Sequence, residues 1–240
     1  MARGAYPRLD PTPTLAELDR LAERVRDAMR REKRRPPDLV FADVLGLAEG
    51  FGGAVVDYDD PEMSYLNRAL ARRRGLPILL SIVWMEVARA CGVPCRPMAF
   101  PGHFVVGIGD VIVDPYTGGR RLSKDELLSL FEGLRGTRRS LQKMSTSRGI
   151  LLRVLANLAN AYERRGEGRH LDVVLSDEIA LYPDDPGLLA HRGEARARFD
   201  DRVGALTDLN RALPRLRHGI EFDRARSAAL ALVRTQESPN

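Results

Sequence analysis

The run PILLSIVWMEVARACG, residues 77–92, constrains the fold more than any other stretch. It is long enough for a helix and apolar nearly all round, so the rest of the chain has to cover it on every side. Pro77 suits the first helical position, where its missing N–H costs no hydrogen bond. Gly92-Val93-Pro94 stops the helix, and VPCRPMAF then reads as a strand. Trp84 and Met85, in mid-helix, are expected in the core.

The strand leads into FPGHFVVGIGDVIVDPYTGG, residues 100–119, which reads as a hairpin. Phe104-Val105-Val106 and Val111-Ile112-Val113 are its arms, with turn residues Gly107-Ile108-Gly109-Asp110 between them. A turn at Ile108-Gly109 places His103 opposite Asp114. A turn at Gly109-Asp110 moves Asp114 opposite Val105 but keeps it on the face of His103, as a diagonal neighbour. Either register lets a carboxylate orient an imidazole, which is two thirds of a Cys-His-Asp site. A structural role is the alternative: the pair pins the hairpin, or Asp114-Pro115 initiates a turn that Gly118-Gly119 closes.

Around this centre the signals are helical. Thr14 with Glu17 reads as a capping box opening a helix over LAELDRLAERVRDAMRREKRR. Pro36-Pro37 stops it, and Asp38 is expected to cap a second helix running to Gly50-Phe51-Gly52-Gly53. Pro61 and Gly75 bracket a third, and Ser123 with Glu126 caps another over KDELLSLFEG. Residues 133–147 turn polar and basic, giving expected domains of 1–132 and 148–240 joined by a linker. The tail is read as all helical. A shift of 34 residues superposes Leu155 on Leu189, Ala159 on Gly193 and Leu175 on Leu209, the period of tetratricopeptide (TPR) repeats. Small residues at Ala159, Gly193, Ala205 and Ala212 suit close helix approach, whereas Arg192 and Arg196 stand where packing residues are usual. A plain α-hairpin bundle is the competing reading.

The net charge of +5 raises the question of nucleic acid. The basic blocks at 30–35, 72–74 and 135–139 have no interleaved aromatics to stack bases, which favours a solvated basic surface. No apolar run approaches membrane-span length, and MARGAYPRLDPTPT lacks the apolar core of a signal peptide. Two cysteines point to a reducing cytoplasm rather than a disulfide framework. Cys91, Cys95 and His103 lack a fourth ligand for zinc. The reading therefore carries no metal and no cofactor, and His170, His191 and His218 are placed on the surface of the tail.

The segments GFGGAVVDYDDPEMSYLNRALARRRGLPILLS, FPGHFVV and VDPYTGGRRLS resemble, in order, the transglutaminase-like core of the SirB-type proteins. That resemblance implies a papain-related α+β core, a central helix against a small antiparallel sheet, followed by an all-α, TPR-like helical domain. In active relatives of this core a cysteine opens the central helix, where amide groups and the helix dipole lower its pKa. Here that position falls at Leu76-Pro77-Ile78, and no thiol is present. Ser81, which matches a serine of the family pattern, and Cys95 are the substitute nucleophiles to weigh beside His103 and Asp114. Tyr65 and Asn67 are candidate cleft residues. The first reading is a binding or regulatory module without a nucleophile, its tail engaging a protein or peptide. The alternative is a hydrolase or acyltransferase that recruits Ser81 or Cys95 to the retained pair.

Overall fold

The computed structural model describes residues 8–53, 59–100, 103–132 and 145–234. Two compact units divide the chain, one ending at Val154 and the other starting at Leu155. In the first unit, α1 (Thr12–Arg31) is followed by the short α2 (Pro37–Phe41), which widens into a π-helix over Ala42–Ala48. Next come a 3-10 turn (Pro61–Ser64), α3 (Leu66–Arg72) and the central helix α4 (Pro77–Ala90). Four antiparallel strands stand in the order β1 (Cys95–Phe100), β2 (His103–Ile108), β3 (Val111–Asp114) and β4 (Arg120–Arg121). Helix α5 (Lys124–Glu132) follows, and α6 (Ser147–Arg164) runs from the first unit into the second. The unit is α+β, a central helix against a small antiparallel sheet.

The reason is the amphiphilic imbalance of α4. Leu80, Val83, Trp84, Val87 and Ala88 are fully buried in one cluster with Leu21 and Val25 of α1, Phe41, Leu45 and Val106. Ile78 and Leu79 bury on another side, with Ala99, Phe104, Ile150 and Val154. A helix apolar on all faces is thus covered by helices and by the sheet at once. The edge of the Phe51 ring meets Trp84 at a centroid distance of 5.9 Å.

Two helix starts differ from the expectation. Helix α1 begins at Thr12, with Pro11 at its N-cap, and the Asp10 carboxylate accepts from the Thr12 amide at 2.9 Å. Glu17 does not reach back to Thr14, because Arg20 donates to both of its oxygens, at 2.8 and 2.9 Å, and Arg73 is bound there too. Charge-assisted bonds outcompete the neutral amide. Asp38 is no cap either. It lies in the first turn of α2, 3% exposed, and accepts two bonds from Arg121 of β4 at 2.5 and 3.1 Å. By contrast Ser123 and Glu126 form the expected reciprocal capping box: Glu126 accepts from the Ser123 amide at 2.8 Å and Ser123 Oγ from the Glu126 amide at 3.2 Å.

The arginine run 72–74 is taken up internally. Arg72 pairs with Glu62 and Asp60, and Arg74 donates to the Gly50 carbonyl. Arg73 holds a left-handed φ of 56° while pairing with Glu17 and Glu49 and lying 4.7 Å over the Phe51 ring.

The second unit comprises the continuation of α6, then α7 (Gly168–Leu181), α8 (Pro186–Arg198), α9 (Arg202–Ala212) and α10 (Ile220–Arg234). Leu189, Ala190, Leu209, Ala212 and Ala225 form its buried centre. Gly193 is where α8 and α9 meet: a Cβ there would lie 2.8 Å from Leu209 Cγ and 3.2 Å from the Ala205 carbonyl oxygen. The two arginines at packing positions are accounted for by acids. Arg192 and Arg196 both bind Asp208, itself 1% exposed, and Arg196 also reaches Asp172 at 2.6 Å. Arg192 donates further to Ser176 Oγ at 2.8 Å. A carboxylate buried this deeply is tolerated because it is paired and hydrogen-bonded. The expected linker lies largely outside the described residues.

A Cβ on Gly46 would sit 2.0 Å from the Gly118 carbonyl oxygen, a backbone atom that cannot swing aside. Gly46→Ala should therefore destabilise the first unit by about 1–3 kcal/mol in denaturant unfolding. In the second unit burial pushes the Glu178 carboxyl from 4.5 up to about 7. The folded chain keeps this proton while the unfolded chain releases it, so the contribution to stability falls as pH rises from 4.5 to 7. Glu178→Gln should flatten that slope in thermal melts taken across this range.

Candidate functional site

The sheet register decides between the two hairpin readings. Val106 pairs with Val113 and Ile108 with Val111, so the turn is Gly109-Asp110, with Gly109 at φ 56°. The next pair outward sets Asp114 against Val105, and His103 is its diagonal neighbour on the same face. Both residues line a cleft of about 590 Å³ together with Val105, Arg120, Leu122, Asp125, Glu126, Ser129 and Leu130. The turn after β3 brings Arg120 in, and the capping box at Ser123 sets the first turns of α5 along the opposite wall.

Asp114 and His103 share the cleft without bonding each other. Asp114 Oδ1 accepts from the Tyr116 amide at 2.9 Å and so caps the 3-10 turn Pro115–Thr117. Its carbonyl takes the Gly119 amide at 2.8 Å, and Gly118 and Gly119 adopt the left-handed conformation that closes the loop. His103 presents an exposed side chain, while its carbonyl accepts from Arg153 Nη2 of α6 at 3.2 Å. Arg120 forks onto Glu126 at 2.7 and 3.0 Å, and this bond, with the Ser123 contacts, holds the Glu126 carboxyl down at about 2.

The start of α4 carries no nucleophile. Leu76 is its extended N-cap and Pro77 opens it, with Leu76, Ile78 and Leu79 buried around the turn. Ser81 lies one turn further in and is fully buried, and its Oγ donates to the Phe104 carbonyl of β2 at 3.1 Å. Its proton is therefore held by the backbone, and the hydroxyl ties helix to sheet. Cys95 pairs with Ile108 at the far end of the β1–β2 ladder from His103, which pairs with Phe100. At about 3.4 Å per residue, the ladder spans some 17 Å between them. Burial raises the Cys95 thiol to about 11 and pushes Cys91 up as well, with Cys91 Sγ lying 3.4 Å from the Ala22 carbonyl. Tyr65, 2% exposed, and Asn67 flank the start of α3 and do not line the cleft.

The structure thus brings His103 and Asp114 together and leaves Ser81, Cys95, Tyr65 and Asn67 outside their cleft. It adds Arg120, Asp125, Glu126 and Ser129. The sequence signal for these four was the run RRLSKDELLS at 120–129, following the Asp114–Gly119 turn, whose capping box marks a helix start. Among the described residues no group of three or more histidine, cysteine, aspartate or glutamate side chains is placed to hold a metal.

Comparison with known proteins bears on the family. The model of the transglutaminase-like superfamily matches residues 12–156, more than half of the chain. A UPF0162 protein of Xylella fastidiosa (strain Temecula1) is 32% identical over 225 residues, covering 89% of this chain and 80% of its own. A UPF0162 protein of Pseudomonas aeruginosa is 34% identical over 113 residues, covering 45% of this chain and 42% of its own. F-box only protein 21 of Mus musculus is 30% identical over 154 residues, 58% of this chain but 24% of that protein. No solved structure matches.

The thiol environments give a direct test. Alkylation of Cys95 by iodoacetamide at pH 7.5 should run about a hundredfold slower in the folded chain than for free cysteine, and accelerate on unfolding. Rapid labelling of folded Cys95 that His103→Ala abolishes would instead mark it as activated.

The chain belongs to the transglutaminase-like superfamily.

Proposed function

We propose that this member of the transglutaminase-like superfamily is a non-catalytic binding module. The His103–Asp114 cleft is its ligand site, and the helical unit is a surface for a protein or peptide partner. One observation carries the reading: the helix start that would hold the attacking group is Pro77 set among buried Leu76, Ile78 and Leu79. The only hydroxyl in the next turn, that of Ser81, already donates to the Phe104 carbonyl. Without a nucleophile, a histidine and a carboxylate on one face serve recognition rather than covalent chemistry.

The charges of the cleft support a ligand class. Arg120 is neutralised by Glu126, and no ion pair among the described residues engages Asp114 or Asp125. The cleft is thus anionic in a chain of net charge +5, with Val105, Leu122 and Leu130 as its apolar surface. A cationic group on an apolar stem is complementary to it. The order of the sequence motifs supports a SirB-type layout. The 34-residue spacing and the close approach at Gly193 support a TPR-like reading of the tail. Two free cysteines suit a reducing cytoplasm, and no helix among the described residues is long and apolar enough to cross a membrane.

Calorimetric titration of the full chain with acetyl-Leu-Lys-Leu-amide and with its Nε-acetylated form tests the proposal. The cationic peptide should bind at least about tenfold more tightly, and Asp114→Asn should weaken it by about three- to tenfold. The substitution keeps an acceptor for the Tyr116 amide while removing the charge. Saturable hydrolysis of p-nitrophenyl acetate that His103→Ala abolishes would overturn the non-catalytic assignment.

A further inference from the structure

We infer that Arg153, in the first two turns of α6, is a positioning residue for His103, acting on its backbone from beside the sheet rather than from within the cleft. The inference rests on the reading of that cleft as a ligand site, and it begins with the sheet. Strand β3 ends at Asp114, level with Val105, so the first two residues of β2 have no β3 neighbour. They pair with Phe100 and Ala99 of β1 alone, and side chains add to that hold, Ser81 Oγ donating to the Phe104 carbonyl at 3.1 Å and Arg153 Nη2 to the His103 carbonyl at 3.2 Å.

Strand ends paired on one edge only fray more readily than those paired on both, and their side chains sample more directions. His103 is open to this, because its own side chain is exposed and contributes nothing to the core. Arg153 supplies a second restraint from a fixed base. Its guanidinium lies 5.6 Å from the Phe104 ring centroid, and its helix neighbours Ile150 and Val154 are buried against Phe104, Ala99, Ile78 and Leu79. The planar guanidinium can stack on the ring and donate to the carbonyl at once, a combination that a lysine ammonium reproduces only in part. The superfamily match ending at residue 156 includes these two turns, in agreement with their role in the first unit.

The test compares Arg153→Met, which keeps an apolar stem on Phe104, with Arg153→Lys, which keeps a donor. The readouts are the imidazole ring resonances of His103, assigned with His103→Ala, and amide exchange at Phe104 and Val105. In Arg153→Met the His103 resonances should move while those of His170, His191 and His218 stay. Exchange at the two amides should quicken by about three- to tenfold, the range expected for losing one ordinary hydrogen bond at a solvent-exposed strand end. Arg153→Lys should restore part of both effects. Unmoved His103 resonances in a folded Arg153→Met chain would overturn the inference. So would equal shifts in all four histidines, which would indicate a general loss of structure; should Arg153→Met not fold, wild-type His103 resonances in Arg153→Lys would overturn it as well. These readouts need no ligand. A wild-type chain that fails to bind the lysine peptide therefore counts against the cleft's proposed ligand, whereas the resonances decide the role of Arg153.

Discussion

Everything in the first unit depends on the need to bury α4 on all sides. A helix with one apolar stripe can rest on a single partner, but this one requires α1 and the π-helix on one side and the sheet on the other. The sheet is short, so its face has to lie squarely over the helix, and Ser81 Oγ fixes that placement through the Phe104 carbonyl. The loop after β3 must then return close to α2 and the π-helix. It does so by a backbone-to-backbone approach that only glycine permits, Gly46 against Gly118.

The VDPYTGGRRLS motif is therefore a bracket as well as a site. Asp114 caps the Pro115–Thr117 turn, the Tyr116 carbonyl accepts from the Gly53 amide at 2.6 Å, and Gly118-Gly119 reverses the chain. Arg120 and Arg121 then diverge, one to Glu126 on α5 and the other to buried Asp38 on α2. The same few residues close the fold and furnish the cleft wall, and the carboxylate that could have oriented His103 is bonded to its own turn.

The charged residues divide by burial. Exposed pairs such as Arg30–Asp27 contribute little to stability, because solvent screens them. Asp38, Glu49 and Asp208 are buried carboxylates, and each is met by one or more arginines. Losing an arginine there would strand a desolvated charge. Much of the positive charge in the arginine runs is accordingly bound within the chain.

The sequence alone determined the central helix, the strand and hairpin after it, the Ser123–Glu126 capping box and the helical tail, because local periodicity and turn chemistry specify such elements. It also determined that no thiol opens the central helix, since Pro77 can be read directly. It left two hairpin registers open, because Gly107-Ile108-Gly109-Asp110 can turn at either of two pairs. Only the tertiary structure chose between them, by pairing Val106 with Val113 under the buried face of α4. The caps expected at Thr14 and Asp38 failed for a related reason: Glu17 is taken by Arg20, one turn on, together with the distant Arg73, and Asp38 by the distant Arg121. A capping box offers one hydrogen bond to a neutral amide, whereas a guanidinium brings two charge-assisted ones, Arg20 to Glu17 and Arg121 to Asp38, and the 83 residues separating the second pair leave no local signal.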